Sequence, residues 1–281
     1  MAERLTGVDA SEVLELIREL VEQDIAPWTR PYIGQFGGPM RAAHEPFSGG
    51  NAVFLACLRE ARGYSSRYWL TRRQAETAGT PFSSFDRGAV VLLPKFVQGN
   101  PNPVRYVGYR VWNADLAPGW MDPEIEVREI PEPTGAAAAI ERLWGGVTYG
   151  ADGAFYTPST DTVSLPDRDS FRSFAHFMAT LGHERAHQSG AEKRLKRSGV
   201  VNPIRFGSHE YADEELIAES AAACLLAYLG ESTDVLRTNS AAYLKSWLAK
   251  ATPNPLALHK AMADGVKAAH FIIKAAGLPK F

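Results

Sequence analysis

Cysteine is nearly absent: Cys57 and Cys224 are the only two in 281 residues. Each lies in an apolar run, which predicts two buried thiols and excludes a disulfide framework or a cysteine zinc cluster. Runs of membrane-spanning length are also lacking, and the residues after Met1 form no apolar segment of signal-peptide type, so the expectation is a cytoplasmic protein with no membrane contact. Neither sign of charge dominates. A net charge of -2 gives no global mark of a nucleic-acid binder, so any such surface must be local. There is no internal repeat and no low-complexity tract. What is present is 45% hydrophobic content, enough for a sizeable core, in a length that suggests about two domains.

Periodicity predicts a helix over residues 9–24, where Val13, Leu16, Ile17, Leu20 and Val21 recur behind the capping pair Asp9 and Glu12. A stretch rich in Gly and Pro follows to residue 50 and reads as loop, then helices over 51–62 and 71–78. From residue 88 the pattern alternates, and 89–93 with 104–112 predicts a hairpin. Residues 113–134 combine six acids and four prolines with Arg128 alone, a linker composition. We therefore expect domains over 1–120 and 135–281, joined by 121–134. The second half predicts an Ala-rich helix over 134–144, short strands at 146–149, 154–157 and 161–165, and helices over 171–188, 211–229, 241–251 and 256–276.

The chemistry concentrates at Thr180-Leu-Gly-His-Glu-Arg-Ala-His-Gln-Ser-Gly190. His183 and His187 lie four apart, so on a helix they stack on one face and aim two imidazoles at one ion. Glu184 stands beside them, where a carboxylate takes a proton from metal-bound water. Chance alone would produce His-Glu-x-x-His in roughly 1 chain in 100 of this length, so context must decide. A catalytic zinc ion needs a third ligand. Lys193 stands where the three-histidine extension of the motif would place its last histidine, and it excludes that class. Glu215 and Glu219 lie four apart on the next long helix. In glutamate-type zincins such a pair divides its work, so Glu215 is expected on the metal and Glu219 behind a histidine. The alternative for these acids is a solvated helix face. His176 sits roughly 10 Å of helix rise before His183, too far to share the ion; His209 is either an ordinary loop residue or a substrate contact. The cofactor expected is one zinc ion or another divalent transition metal, and the reaction hydrolysis of a peptide bond. The hairpin over 154–165 would offer the substrate an edge strand.

Between Arg59 and Arg110 nine basic residues face three acidic ones, with Tyr64, Tyr68, Trp69, Tyr106, Tyr109 and Trp112 interleaved. Cations along a phosphate backbone with rings for bases suit single-stranded nucleic acid; core rings beneath an ordinary solvated face are the alternative.

Ala26-Pro-Trp28, Gly49-Gly-Asn51, Gly63-Tyr-Ser-Ser-Arg-Tyr-Trp-Leu-Thr-Arg-Arg-Gln-Ala75 and Tyr109-Arg-Val-Trp-Asn113 follow in the order of motifs in the N-terminal single-stranded-DNA-binding domain of ArdC-type antirestriction proteins. Phe155-Tyr-Thr-Pro-Ser-Thr-Asp161, the metal motif, Arg194-Leu-Lys-Arg197 and Tyr211-Ala-Asp-Glu-Glu-Leu-Ile-Ala-Glu219 resemble that family's zincin-like metallopeptidase domain. The resemblance implies an α+β protein of two domains, an N-terminal α/β domain that binds single-stranded DNA and a C-terminal zincin-like domain of the glutamate type. It implies a protein of mobile elements that shields incoming DNA from restriction, with His183 and His187 on the metal, Glu184 catalytic, and an unidentified peptide or protein substrate. Trp28, Asn51, Arg67, Trp69, Arg72, Arg73 and Arg110 are the candidate DNA contacts. Arg185 departs from the family's apolar preference at its position and puts peptidase activity in question. A non-catalytic DNA-occluding protein with a structural metal is the rival, and an ordinary cytoplasmic protease the third.

Overall fold

The computed structural model describes residues 4–6, 12, 15, 16, 18, 19, 39–43, 45, 47, 49–85, 88–98, 105–123, 133–202, 208–231 and 255–280. The helix expected over 241–251 lies outside them, as does most of that over 9–24, although residues 12, 15, 16, 18 and 19 are helical.

The expected hairpin is the spine of the N-terminal sheet. Strands β4 (Ala89–Lys95) and β5 (Arg105–Asn113) pair antiparallel from Ala89 opposite Val111 to Lys95 opposite Arg105. Three strands that periodicity did not reveal complete the sheet. β1 (Arg4–Thr6) runs parallel to β5, β3 (Tyr68–Leu70) pairs antiparallel with the end of β5, and β2 (Met40–Arg41) runs parallel to β3. Each is three residues or shorter, too few for an alternation to be read.

Helix α1 (Gly49–Ala61) and the short helix α2 (Arg72–Thr77) cover opposite faces of this sheet. A capping box starts α2: the Thr71 hydroxyl accepts from the Gln74 amide, and the Gln74 side chain accepts from the Thr71 N–H at 2.8 Å. Strand alternation in β3 sends Trp69 to the α1 side, with Phe54, Leu55 and Leu58, while Tyr68 and Leu70 join Ala75 and Phe82 on the α2 side.

The C-terminal half begins with α3 (Pro133–Glu141) and a three-stranded sheet in which β8 (Thr162–Ser164) is central, parallel to β6 (Val147–Thr148) and antiparallel to β7 (Phe155–Thr157). Three long helices follow: α4 (Phe174–Ser189), α5 (His209–Tyr228) and α6 (Pro255–Ala275). α5 packs against both others. Ala221, Ala222 and Ala223 on it are wholly buried, small side chains that permit this close approach. Gly265 of α6 sits against Ser220, where an added Cβ would lie 2.5 Å from the serine Cβ and 2.8 Å from the Ile217 carbonyl. Among the described residues, no helix is long and apolar enough to cross a membrane.

The two halves share one core. Leu55 and Leu58 of α1 and Val91 of β4 belong to the same buried cluster as Leu216 of α5 and Leu258 and Ile272 of α6. The joint is polar at its centre. Asn51 donates to the Leu92 carbonyl at 2.8 Å and accepts from the Leu92 N–H at 2.9 Å, and its carbonyl oxygen also meets His259 Nε2 at 3.2 Å. An oxygen already accepting from Leu92 fixes the ring as the Nε2–H tautomer. Gly50 lets the helices meet, since a Cβ there would lie 2.6 Å from the His259 carbonyl.

Burial pulls the His259 imidazole down to about 4. The unfolded chain, with an ordinary value of about 6.5, therefore takes up the proton first as pH falls. Stability from the neutral ring is complete above about pH 6.5 and is lost toward the folded-state value at about 1.4 kcal/mol per pH unit. His259→Gln keeps a donor for Asn51 without the titration. Urea unfolding across this window is expected to show the wild type losing stability more steeply than the variant by that slope.

Candidate metal centre

Ser173 starts α4, its hydroxyl accepting from the His176 N–H and lying 2.8 Å from His176 Nδ1. His176 thus closes the helix end, well away from the motif. Two turns on, His183 and His187 lie on one face with their Nε2 atoms 3.1 Å apart. Glu215 on α5 faces both: one carboxylate oxygen is 3.4 Å from His183 Nε2 and the other 3.7 Å from His187 Nε2. Four ligands placed tetrahedrally at the usual zinc distances of about 2.0–2.1 Å stand roughly 3.3 Å from one another. One donor atom from each of the three residues lies within 4.8 Å of the others, close enough for two imidazoles and a carboxylate to share one divalent metal.

Each histidine is held from behind. His183 Nδ1 lies 3.2 Å from Glu219, and His187 Nδ1 lies 3.1 Å from Glu214. A carboxylate on Nδ1 fixes the tautomer that offers Nε2 to a metal. Glu214 was not foreseen, because a helical spacing of four selected Glu215 and Glu219 and passed over their neighbour. Its position is set by Arg197, whose guanidinium donates to Glu214 at 2.6 and 3.1 Å and to the Ala186 carbonyl at 2.6 Å. The basic loop between the helices therefore ties the end of α4 to the start of α5.

The charges are strongly coupled. Burial alone would lower the His183 imidazole, but hydrogen bonds to Glu215 and Glu219 outweigh it and hold it well above its ordinary value. Burial likewise opposes ionisation of Glu215, and the bond to His183 overrides that, drawing the carboxyl down to about 2. Glu214 follows the same logic with His187 and Arg197. Tyr211, one turn before Glu215, hydrogen-bonds to it; burial and the Glu215 charge push its phenol up to about 12, so it is a neutral donor at physiological pH. Glu184 is buried beside these groups, at 7% exposure.

Arg185 does not enter the site. Two residues beyond His183 it is turned about 200° around the helix axis. There it is fully buried and donates to the carbonyls of Glu141 at 2.5 Å and Gly146 at 3.0 Å and to Gln188. Burial lowers its guanidinium to about 10, which still leaves it charged at neutral pH. It is a strut between α4 and the end of α3. Arg185→Leu is expected to strand those carbonyls and cost about 1–3 kcal/mol in chemical unfolding, with metal content unchanged.

The candidate DNA contacts divide. Trp28 lies outside the described residues. Trp69 is 1% exposed and Arg67 8%, so neither offers its side chain to a strand, and Asn51 is spent on the joint with β4 and His259. Alternation in the short β3 explains Trp69, which an isolated Tyr-Trp-Leu did not disclose. Arg72, Arg73 and Arg110 are exposed. Arg72 pairs with Glu76 at 2.8 Å and lies 4.8 Å over the half-exposed Phe85 ring, and Arg110 pairs with Glu12. His209 opens α5 directly after its cap, Ser208.

Residues 136–264 match the family described as zincin-like metallopeptidase, MPTase-PolyVal, and residues 9–102 match the N-terminal domain of anti-restriction factor ArdC. The protein y4eC of Sinorhizobium fredii is 33% identical over 230 residues, covering 74% of this chain and 71% of y4eC. The chain belongs to the ArdC antirestriction family. Its ArdC-type fold is also similar to a crystal structure of the antirestriction protein ArdC from plasmid R388 in a Mn(II)-bound form, with a TM-score of 0.73 at 29% identity over 96% of this chain and 98% of that one. The metal-free form of the R388 protein gives 0.68. A DNA primase, TraC of Escherichia coli, is 30% identical over 93% of this ArdC-family chain, which spans only 27% of TraC.

Proposed function

We propose that this protein binds single-stranded DNA through its N-terminal half and hydrolyses a peptide bond at the His183–His187–Glu215 centre, the two together serving antirestriction. The observation that carries the hydrolytic half is the convergence of two imidazoles and a carboxylate, with donor atoms within 4.8 Å of one another and a buried Glu184 beside them.

When bound, a divalent metal, zinc by preference, supplies an acidified water and a Lewis acid for a carbonyl. Glu184, buried beside the ligands, would serve as the general base and then the general acid of such a hydrolysis. Glu219 and Glu214 keep His183 and His187 in the tautomer that presents Nε2. Tyr211 steadies the Glu215 carboxylate as a neutral donor. Strand β7 is an edge of its sheet and packs against α4, so an extended peptide could add to it and run past the centre. Its Phe155 is 48% exposed there.

The DNA half is supported by the ArdC-type N-terminal domain and by the exposed Arg72, Arg73 and Arg110. Because the halves share a core, the full chain is the right test object. Anisotropy of labelled oligo(dT), with a hairpin duplex as control, is expected to show preference for the single strand and an affinity that falls steeply between about 50 and 200 mM salt. Equal affinity for the duplex, or no binding, would remove this half of the proposal.

A further inference from the structure

The α2 face of the N-terminal sheet carries an open cavity of about 680 Å³ that no residue of the metal centre touches. Trp120, Arg73, Gln74 and the methyl groups of Ala42, Ala43 and Ala78 line it. Its size is that of a small-ligand site, and among the described residues no carboxylate contributes to the lining. One cation, one aromatic ring and small apolar walls suit a flat ring carrying a phosphate.

Both key groups are prepared for such a ligand. The Trp120 indole is held before anything binds: its N–H donates to Asp122 at 2.9 Å, Asp122 accepts in turn from Ser66 at 2.6 Å, and the ring rests 5.7 Å from Tyr68. A ring already fixed loses little freedom when a base stacks on it. Arg73 is exposed and, among the described residues, makes no ion pair, whereas Arg41, Arg72 and Arg110 are joined to Glu45, Glu76 and Glu12. The guanidinium beside the cavity therefore has no carboxylate partner among the described residues and can take a phosphate.

We infer that this cavity is a nucleotide subsite for single-stranded DNA, in which one base stacks on Trp120 and a flanking phosphate pairs with Arg73. The inference rests on the single-strand binding proposed above, and it moves the stacking platform from the buried Trp69 to a residue in the acidic, proline-rich stretch.

Oligo(dT) anisotropy with the full-length chain tests it. Stacking on one aromatic ring is worth enough that Trp120→Ala is expected to weaken binding about ten-fold or more, with Trp120→Phe recovering much of it. Arg73→Ala is expected to weaken binding and to reduce the slope of log affinity against log salt by about 0.7. Should Trp120→Ala melt early, Arg73→Ala decides, since its exposed side chain supports no packing. If the wild type binds oligo(dT) and Arg73→Ala keeps its affinity and salt slope, the subsite is wrong and single-strand binding stands. If the wild type does not bind oligo(dT), both fall together.

Discussion

Glu184→Gln is expected to abolish protection of an unmodified plasmid entering a restricting host, while bound metal and oligo(dT) affinity stay at wild-type levels. The substitution preserves shape and hydrogen-bonding length and removes only the ability to take a proton. A positioned acid–base group contributes about 10²–10⁴ in rate, so the loss should bring hydrolysis to background. Retained metal follows because Glu184 is not among the three groups whose donor atoms converge, and retained DNA affinity because it lies on α4, away from the N-terminal sheet. Full protection by this variant would favour the rival account, in which DNA is shielded by occupancy and the metal braces the fold.

Glu215→Ala is expected to have the largest effect on metal affinity, measured by competition with a chromogenic chelator. It removes the one anionic ligand, leaving two imidazoles that bind a metal only in their neutral form. Loss of a partner behind a ligand typically costs 10–100-fold, so Glu214→Ala and Glu219→Ala should fall in that range and Glu215→Ala beyond it. Glu214→Ala carries an added penalty, because Arg197 loses the carboxylate it grips with two nitrogens. Equal losses for all three acids would mean that Glu215 is not the ligand.

The convergence of His183, His187 and Glu215 was legible in the sequence because a helix converts spacing into direction. A spacing of four from His183 to His187, and again from Glu215 to Glu219, fixes which side chains share a face before any tertiary contact is known. Glu214 escaped because its role depends on Arg197, a partner brought from a separate loop. A charge at Arg185 inside the motif says nothing in sequence about where it goes; its direction around α4 takes it to the carbonyls of Glu141 and Gly146. The N-terminal half was less legible for the same physical reason in reverse. Strands of two or three residues carry no period, so nothing marked Trp69 as facing α1, and the Asn51–His259 contact joins residues 208 positions apart. Trp120 fell in a stretch whose prolines and acids resemble a linker, although its ring packs on Tyr68.

The proposed chemistry needs one ion held by His183, His187 and Glu215. X-ray absorption at the zinc edge, on full-length protein stripped of metal and reloaded with one equivalent of zinc, tests that most directly. The expected spectrum has two imidazole nitrogens at about 2.0–2.1 Å, oxygen for the remaining ligands and no sulfur. A sulfur shell, a single imidazole, or a spectrum unchanged in His187→Ala would contradict it.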